Sequence, residues 1–256
     1  MINFLDLVLP PCCVVCKLEG IFICANCAKD IAANRYFTCP VCQRRDIHGR
    51  LDKKCREVTG LTRFLGAPLL YEDERVRKVI HAFKYRRVMA LAEPLAKILI
   101  EFLNMASNGR DLFRDFKRES SILKIGRLKG SPPCVERKRS LPLLAPIPMN
   151  SFKERERGFN QATEIAEILA EHYNMELNAK LLKKIKLTGN QADVKNKEDR
   201  IKNIENAFRC ENPEFARSKI VILVDDVYTT GATMRDCARA LRAAGAREVW
   251  GVTLAR

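Results

Sequence analysis

The sequence predicts an α/β protein with a parallel sheet and flanking helices, preceded by a small cysteine-rich head. Eight of the eleven cysteines fall within the first 55 residues. Beyond residue 60, short apolar runs alternate with helical patterns, which is typical of a parallel sheet. The run Ile220–Val224 contains only branched apolar residues, as expected for a central strand that is buried on both faces.

Length and composition define two unequal parts. A chain of 256 residues suffices for one ordinary domain and a small appendage. We therefore predict a head at 1–60 and an α/β domain at 61–256, in which 106–140 is a basic insertion or mobile loop. Hydrophobic residues make up 47% of the chain, which excludes wholesale disorder. The net charge of +15 favours polyanionic partners such as nucleic acid or phosphorylated ligands.

The first residues carry no targeting signal that we recognise. The segment MINFLDLVLPP is apolar but short, contains Asp6, and lacks a basic start and a cleavage site. No later stretch approaches the ~18 uninterrupted apolar residues of a membrane span. We expect a cytoplasmic protein without a membrane span, whose cysteines are reduced and hold metal.

The head contains three Cys-x2-Cys pairs and a lone Cys55. Two such pairs supply the tetrahedral four-thiolate set that structural zinc prefers. The predicted first site consists of Cys13, Cys16, Cys24 and Cys27. The alternative is that these are reduced thiols buried as small hydrophobic groups. Cys12 is either a spare thiol or a substitute for Cys13.

A second zinc site is predicted from Cys39, Cys42 and Cys55. His48 lies between the last two and is either the fourth ligand or a solvated loop residue. Zinc in both sites would be structural, because so small a head has too little core to fold without it. The scattered Cys134, Cys210 and Cys237 are expected to be inert.

The middle of the chain is rich in positive charge. Arg63–Tyr71 is predicted to be a strand, and Met89–Met105 to be a helix. Between them, a helix over Glu74–Arg87 has a basic face that either meets a polyanion or is merely solvated. Residues 110–140 hold ten Lys and Arg against four acids. That segment is either a polyanion-binding region or a solubilising linker.

Strands and helices then alternate to the end of the chain. The predicted strands are Leu143–Pro148, Leu181–Lys186, Ile220–Asp226 and Glu248–Leu254. The predicted helices are Asn160–Tyr173 and Thr233–Ala244, the latter ended by Gly245.

The most informative stretch is KIVILVDDVYTTGATM, at Lys219–Met234. Asp225 and Asp226 stand at the carboxyl end of the strand, where open α/β sheets bind ligands. The turn that follows leads into a helix whose free N–H groups suit a phosphate. It consists of Thr229, Thr230, Gly231, Ala232 and Thr233. Carboxylates accept hydrogen bonds from ribose hydroxyls, so the stretch predicts a ribose-5-phosphate pocket. The alternative is a strand end with a capping aspartate.

VILVDDVYTTGAT resembles the phosphoribosyl-pyrophosphate signature of type I phosphoribosyltransferases. With the cysteine-rich head and the segments IHAFKYR, FKERERGFNQATEIAEILAE and DRIKNIENAF, the chain is similar to the ComF family over nearly its whole length except about 106–140. The resemblance implies a double zinc ribbon followed by a type I phosphoribosyltransferase-like domain. It also implies a role in DNA uptake and natural transformation.

The resemblance assigns ribose hydroxyls to Asp225 and Asp226, and the 5′-phosphate to the turn Thr229–Thr233. The segment Lys153–Gln161 takes the place of the pyrophosphate loop, with Mg²⁺ bridging the diphosphate and the ribose. The residues suited to a diphosphate there are Lys153, Arg155, Arg157 and Gly158. Residues Arg157–Gln161 of this segment could also cap the next helix, and the two roles are compatible. Residues 188–206 correspond to the mobile flap of the fold, where Arg200 is a weaker phosphate candidate.

Two functions follow. The first is transfer of a phosphoribosyl group to an unidentified acceptor. Thr229 stands where purine-type relatives place an acid, which disfavours purine transfer. The second is a binding module for single-stranded DNA that works with DNA-uptake proteins. In it, Phe83 or Tyr85 would stack on bases.

Overall fold

The computed structural model describes residues 11–85, 88–109, 142–185 and 206–256. The helices are α1 (Ala25–Ile31), α2 (Lys53–Thr59), α3 (Glu74–Tyr85), α4 (Ala92–Ala106), α5 (Ser151–Arg157), α6 (Gln161–Tyr173), α7 (Pro213–Ala216) and α8 (Ala232–Ala243). The strands are β1 (Arg63–Phe64), β2 (Leu143–Pro146), β3 (Glu176–Leu177), β4 (Leu182–Lys184), β5 (Phe208–Cys210), β6 (Ile220–Val227) and β7 (Glu248–Ala255). A short 3₁₀ turn, Met89–Leu91, precedes α4.

Five strands form the predicted parallel sheet, in the order β1-β7-β6-β2-β3. Every pairing in this sheet is parallel, with Val221 of β6 opposite Leu143 of β2 and Val249 of β7. The chain leaves β2 towards β3 on one side and leaves β6 towards β7 on the other. The carboxyl ends of β2 and β6 therefore enclose the crevice in which such sheets bind ligands.

Helices cover both faces of the sheet, as the apolar texture of β6 predicts. Ile220, Ile222 and Val224 face one core, which they share with α3, α4 and α6. Val221 and Leu223 face a second core, which they share with α8. This alternation follows from the two-residue period of a strand.

The head packs against both of these cores. Cys13, Cys24 and Cys27 belong to the core beneath α4, whereas Cys39 and Cys55 belong to the core beneath α8. The two cysteine groups thus lie on opposite sides of the sheet. The boundary between the parts at residue 60 remains a prediction.

The first predicted strand is shorter in the structure than in the sequence pattern. Only Arg63–Phe64 of the proposed strand Arg63–Tyr71 is a strand, although Leu69 makes one further bridge to Ala255. The backbone bends because Gly66 has a φ of +83° and the proline at position 68 lacks an N–H donor.

The predicted strand Leu181–Lys186 does not join the parallel sheet. Its ordered part, β4, pairs with β5 in a separate antiparallel ribbon, with Leu182 opposite Cys210. In β4 the buried Leu182 is followed by the exposed Lys183 and the half-buried Lys184, and a strand with so few apolar residues is suited to a small ribbon that is partly exposed.

The remaining predicted helices and strands are present to within a few residues, including α3, α6, α8, β6 and β7. Predictions for residues 1–10, Arg86, Arg87, 110–141 and 186–205, and with them Cys134 and Arg200, lie outside the described residues. In the described part of the chain, no helix has the length and apolar character that a membrane span requires.

Candidate functional site

The first cysteine cluster brings together the four residues predicted for the first site. The sulfur atoms of Cys13, Cys16, Cys24 and Cys27 all lie within 4.8 Å of one another. Cys16 Sγ and Cys24 Sγ are 3.7 Å apart, close to the edge of about 3.8 Å in a tetrahedron of 2.3 Å Zn–S bonds. Cys12 stays outside this cluster. The donor set and its spacing fit structural zinc.

Local electrostatics prepare this cluster for a cation. Burial acts to raise the pKa of Cys13, but backbone N–H groups of Cys16 and Cys24 outweigh it and lower the pKa to about 6. Burial and hydrogen bonds with the neighbouring thiols raise the pKa of Cys27. The four thiols resist ionising together, and a divalent cation would remove that resistance.

The second cluster contains three sulfur atoms. Cys39, Cys42 and Cys55 lie within 4.8 Å of one another. His48 does not join this cluster, so the structure does not place it as the fourth ligand. Its backbone instead lies in a loop in which His48 N donates to Asp46 Oδ1 over 2.9 Å.

A cavity of about 210 Å³ opens at the carboxyl ends of β2 and β6. It is lined by residues 147–150 after β2 and, from β6 and its turn, by Asp225, Asp226, Val227 and Thr229. A larger groove of about 990 Å³ lies between the head and α4, but it contains neither the carboxylates nor the turn threonines. The smaller cavity is therefore the one that contains the carboxylates and turn threonines named in the sequence prediction.

A lysine interacts electrostatically with both aspartates of the cavity. Lys84 Nζ, from α3, lies 2.8 Å from Asp226 Oδ2, and both side chains are mostly buried. Burial and the Asp226 carboxylate raise the pKa of Asp225 to about 7, although Lys84 opposes the rise. Burial acts to lower the pKa of Lys84, but the two carboxylates outweigh it and hold the pKa above its ordinary value.

Three further cationic side chains line the cavity. They are Lys153 of α5, Arg157 at the end of α5, and Lys184 of β4. Burial and the nearby charge of Lys153 lower the pKa of Lys184. Arg157 is only 9% exposed, and its Nε has no hydrogen-bond partner among the described residues. An anion in the cavity would relieve the repulsion between the lysines and accept from the arginine.

The segment proposed as a pyrophosphate loop is mostly helical. Asn150 caps α5 by accepting from Phe152 N over 2.9 Å, and Gly158 ends it with a φ of +85°. Lys153 and Arg157 reach the cavity, whereas Arg155 and Gly158 do not line it. Arg155 Nε donates back to Ser151 O within the helix. The segment also caps the next helix, because the Asn160 side chain accepts from Ala162 N at the start of α6.

The predicted phosphate turn begins α8 as expected. Gly231 occupies the N-cap with a φ of +72°, and a Cβ there would overlap the Tyr228 phenol. Thr229 and Thr233 line the cavity, whereas Thr230 Oγ1 accepts weakly from Ala232 N over 3.4 Å. The hydroxyls and the helix N-terminus thus meet beside the carboxylates.

The basic helix α3 is less free to bind a polyanion than its sequence indicated. Phe83 is fully buried and packs against Phe159, so it cannot stack on bases. Arg157 stacks over the Tyr85 ring at 4.7 Å and donates to the Tyr85 hydroxyl. Neighbouring acids bind two of its exposed cations, Arg75 and Lys78.

The cavity residues that the sequence did not predict include Lys84, Lys184 and Phe208. The sequence pattern predicts only that Lys84 lies on a basic helix face. The segment IHAFKYR, which contains it, was the signal that could have identified Lys84 as a site residue. Lys184 and Phe208 belong to the small ribbon β4–β5, and no local pattern relates that ribbon to Asp226. Lys184 Nζ lies 5.7 Å from the centre of the Phe208 ring.

Comparison with known proteins agrees with this geometry. Residues 156–256 match the family described as "Phosphoribosyl transferase domain". That range contains Arg157, β4, β6 and the turn at the start of α8, which are most of the cavity. The part of the chain that resembles a phosphoribosyl transferase domain therefore supplies β3, β6 and β7 of the parallel sheet, whereas β1 and β2 precede it.

Named relatives extend the likeness to the whole chain. "Competence protein F" of Haemophilus influenzae is 34% identical over 116 residues, which are 44% of this chain and 50% of that protein. "Competence protein ComFC" of Bacillus subtilis is 38% identical over 115 residues, 44% of either chain. "DNA utilization protein YhgH" of Salmonella typhi is 25% identical over 251 residues, 95% of this chain and 97% of that protein.

The matches to the Haemophilus and Bacillus proteins span half or less of those relatives. No solved structure gave a significant match. The competence and DNA utilization relatives, together with the match to the phosphoribosyl transferase domain, support the expected similarity of this chain to the ComF family.

Proposed function

We propose that the cavity between β2 and β6 binds phosphoribosyl pyrophosphate, or a closely related ribose 5-phosphate ligand, together with Mg²⁺. The observation that supports this is the opposition of charge within one small cavity. Asp225 and Asp226 line the cavity together with the cationic side chains of Lys153, Arg157 and Lys184. A sugar with vicinal hydroxyls and a diphosphate has the complementary arrangement.

Each side chain has a defined task in this proposal. The carboxylates of Asp225 and Asp226 accept hydrogen bonds from the ribose hydroxyls, and Lys84 holds Asp226 in place. The backbone N–H groups at the start of α8 bind the 5′-phosphate. Lys153, Arg157 and Lys184 bind the diphosphate. Mg²⁺, a hard cation that prefers oxygen ligands, would neutralise the diphosphate beside the carboxylates.

We further propose that the chemistry is transfer of the phosphoribosyl group, with pyrophosphate as the leaving group. The cations would stabilise the charge that develops on the leaving diphosphate. Thr229 cannot act as the carboxylate base of purine-type enzymes at that position, so we expect an acceptor other than a purine. The double carboxylate then binds the sugar without itself activating the acceptor.

Calorimetry with Mg²⁺ and phosphoribosyl pyrophosphate tests the pocket. Asp225→Asn with Asp226→Asn should abolish binding, because neither amide matches the acceptor-only carboxylates. The matched control, Glu171→Gln with Glu214→Gln, removes two exposed carboxylates and should bind normally. Unchanged affinity in the aspartate variant would exclude the pocket.

A screen for pyrophosphate release with bases, amines and DNA as acceptors tests the transfer. The wild-type protein should release pyrophosphate with one acceptor class, and the double asparagine variant should not. Binding without release in every case would favour a non-catalytic pocket.

A second proposed role is in DNA uptake or the use of external DNA, in the cytoplasm. The names of the relatives, competence and DNA utilization proteins, support it. In this alternative the protein binds single-stranded DNA, and the pocket regulates that binding. Fluorescence anisotropy with a labelled oligonucleotide should show affinity that falls steeply as salt rises. Absent or salt-insensitive binding would count against it.

A further inference from the structure

A carboxylate stands beside the second cysteine cluster at the spacing of a metal ligand. Asp52 precedes Cys55 by three residues, the same separation as between Cys39 and Cys42. The segment Asp52–Cys55 therefore has the spacing of a Cys-x2-Cys pair in which aspartate replaces the first cysteine. This pair would complete four ligands with Cys39 and Cys42.

Backbone hydrogen bonds show the same likeness. In the pair Cys39-x2-Cys42, the Cys39 sulfur accepts from the backbone N–H groups of Cys42 and Val41. In the segment Asp52-x2-Cys55, Asp52 Oδ1 accepts from the backbone N–H of Cys55 over 2.8 Å. In each pair, the first ligand accepts from the N–H three residues later. Asp52 is thus held as the first cysteine of such a pair is held.

The second carboxylate oxygen faces the cluster. Asp52 Oδ2 lies 3.6 Å from Cys42 Sγ. A tetrahedral zinc ion with bonds of 2.3 Å to sulfur and 2.0 Å to oxygen would separate these two atoms by about 3.5 Å. The Asp52 carboxylate also accepts from the Cys55 thiol. The Asp52 carboxylate therefore accepts hydrogen bonds both from the backbone N–H of Cys55 and from the thiols of Cys42 and Cys55. A metal ion would deprotonate those thiols.

We propose that Asp52 is the fourth ligand of the second metal site, which then binds zinc through three thiolates and one carboxylate. The inference rests on the prediction from the sequence that both cysteine clusters hold zinc. Neither His48 nor Asp52 lies within 4.8 Å of all three sulfur atoms, but Asp52 already contacts two of the thiols. Zinc would draw the carboxylate over the remaining distance. Asp52 is also the N-cap of α2, which keeps it beside Cys55.

Metal analysis and cobalt spectroscopy of the full chain test the assignment. Asp52→Asn retains the capping ability of the side chain but offers an amide, which binds zinc poorly. We expect wild-type protein to hold two equivalents of zinc. Asp52→Asn should lose the second equivalent to a competing chelator at least tenfold more readily. His48→Ala is the matched control and should behave as wild type.

Asp52→Cys gives an independent readout. In the Co²⁺-loaded protein, the added thiolate should intensify the sulfur-to-cobalt charge-transfer band relative to wild type. Wild-type affinity in Asp52→Asn, an unchanged band in Asp52→Cys, or zinc loss in His48→Ala instead would each overturn the role of Asp52. A single equivalent in the wild type would instead remove the second zinc site, and the inference with it.

Discussion

At the scale of single residues, the cavity gathers charges that would repel one another without a ligand. Lys184 and Lys153 are close enough for the charge of one to lower the pKa of the other. Burial and the negative charge of Asp226 make the neighbouring Asp225 carboxyl harder to ionise. Such preorganised charge is typical of a site that binds a ligand of mixed sign.

Replacing Lys184 should change the affinity for the ligand without lowering the stability of the protein. Lys184→Met should weaken binding of phosphoribosyl pyrophosphate about 10- to 100-fold, since a charge-assisted hydrogen bond contributes roughly 1.5–3 kcal/mol. It should leave the melting temperature unchanged or raised, because a partly buried charge is removed. Lys183→Met changes the exposed neighbour on the other face of β4 and serves as the control. A loss of stability without a loss of affinity would contradict the assignment of Lys184.

The raised pKa of Asp225 makes binding depend on pH. Because ribose hydroxyls need an ionised carboxylate, affinity should fall about tenfold between pH 8 and pH 6 if the pKa is about 7. The effect on folding has the opposite sign, since a raised carboxyl pKa lowers the stability of the folded state as pH rises towards 7. Calorimetry at several pH values measures the slope. Asp225→Asn should remove the part of the affinity that depends on the Asp225 carboxylate. An affinity of the wild-type protein that does not change with pH would contradict the assignment.

At the scale of elements, the turn before α8 depends on a residue without a side chain. Gly231→Ala should destabilise the protein by about 1–3 kcal/mol, because alanine disfavours a positive φ and its Cβ would overlap Tyr228. Denaturant unfolding measures this change. Gly109→Ala also places alanine at a positive φ, but its Cβ would have no neighbour within 4 Å among the described residues, so it measures the backbone cost without the overlap. Equal losses in the two variants would show that the overlap with Tyr228 contributes nothing.

Local sequence patterns predict β6 and the turn into α8 better than α5 and α3, which supply the other side chains of the site. The apolar run of β6 and the turn into α8 are contiguous, so Asp225, Asp226 and Thr229 can be identified directly. Helix α5 begins and ends at caps, at positions 150 and 158. Its many cations instead favour the prediction of a pyrophosphate loop for this segment. Lys84 reaches Asp226 only because α3 packs against the sheet, which no single segment of the sequence specifies.

At the scale of the whole molecule, the head and the sheet share their cores. Removing zinc with a chelator should therefore lower the melting temperature by at least about 5 °C, since structural zinc contributes folding energy directly. Hydrogen exchange should show lost protection in the head and in α4, while β6 remains protected. Unchanged protection in α4 would show that the head contributes nothing to the packing of that helix.

The position of the head has a further consequence for self-association. Head residues 49–51 exchange backbone hydrogen bonds with residues 62–64, so they cover the outer side of β1, an edge strand of the sheet. The opposite edge, β3, has only two residues, and its Glu176 is paired with Lys219. Uncovered strand edges are templates for pairing with other chains. We expect the zinc-depleted protein to aggregate through its β1 edge, so that the cysteine clusters keep the chain monodisperse as well as folded.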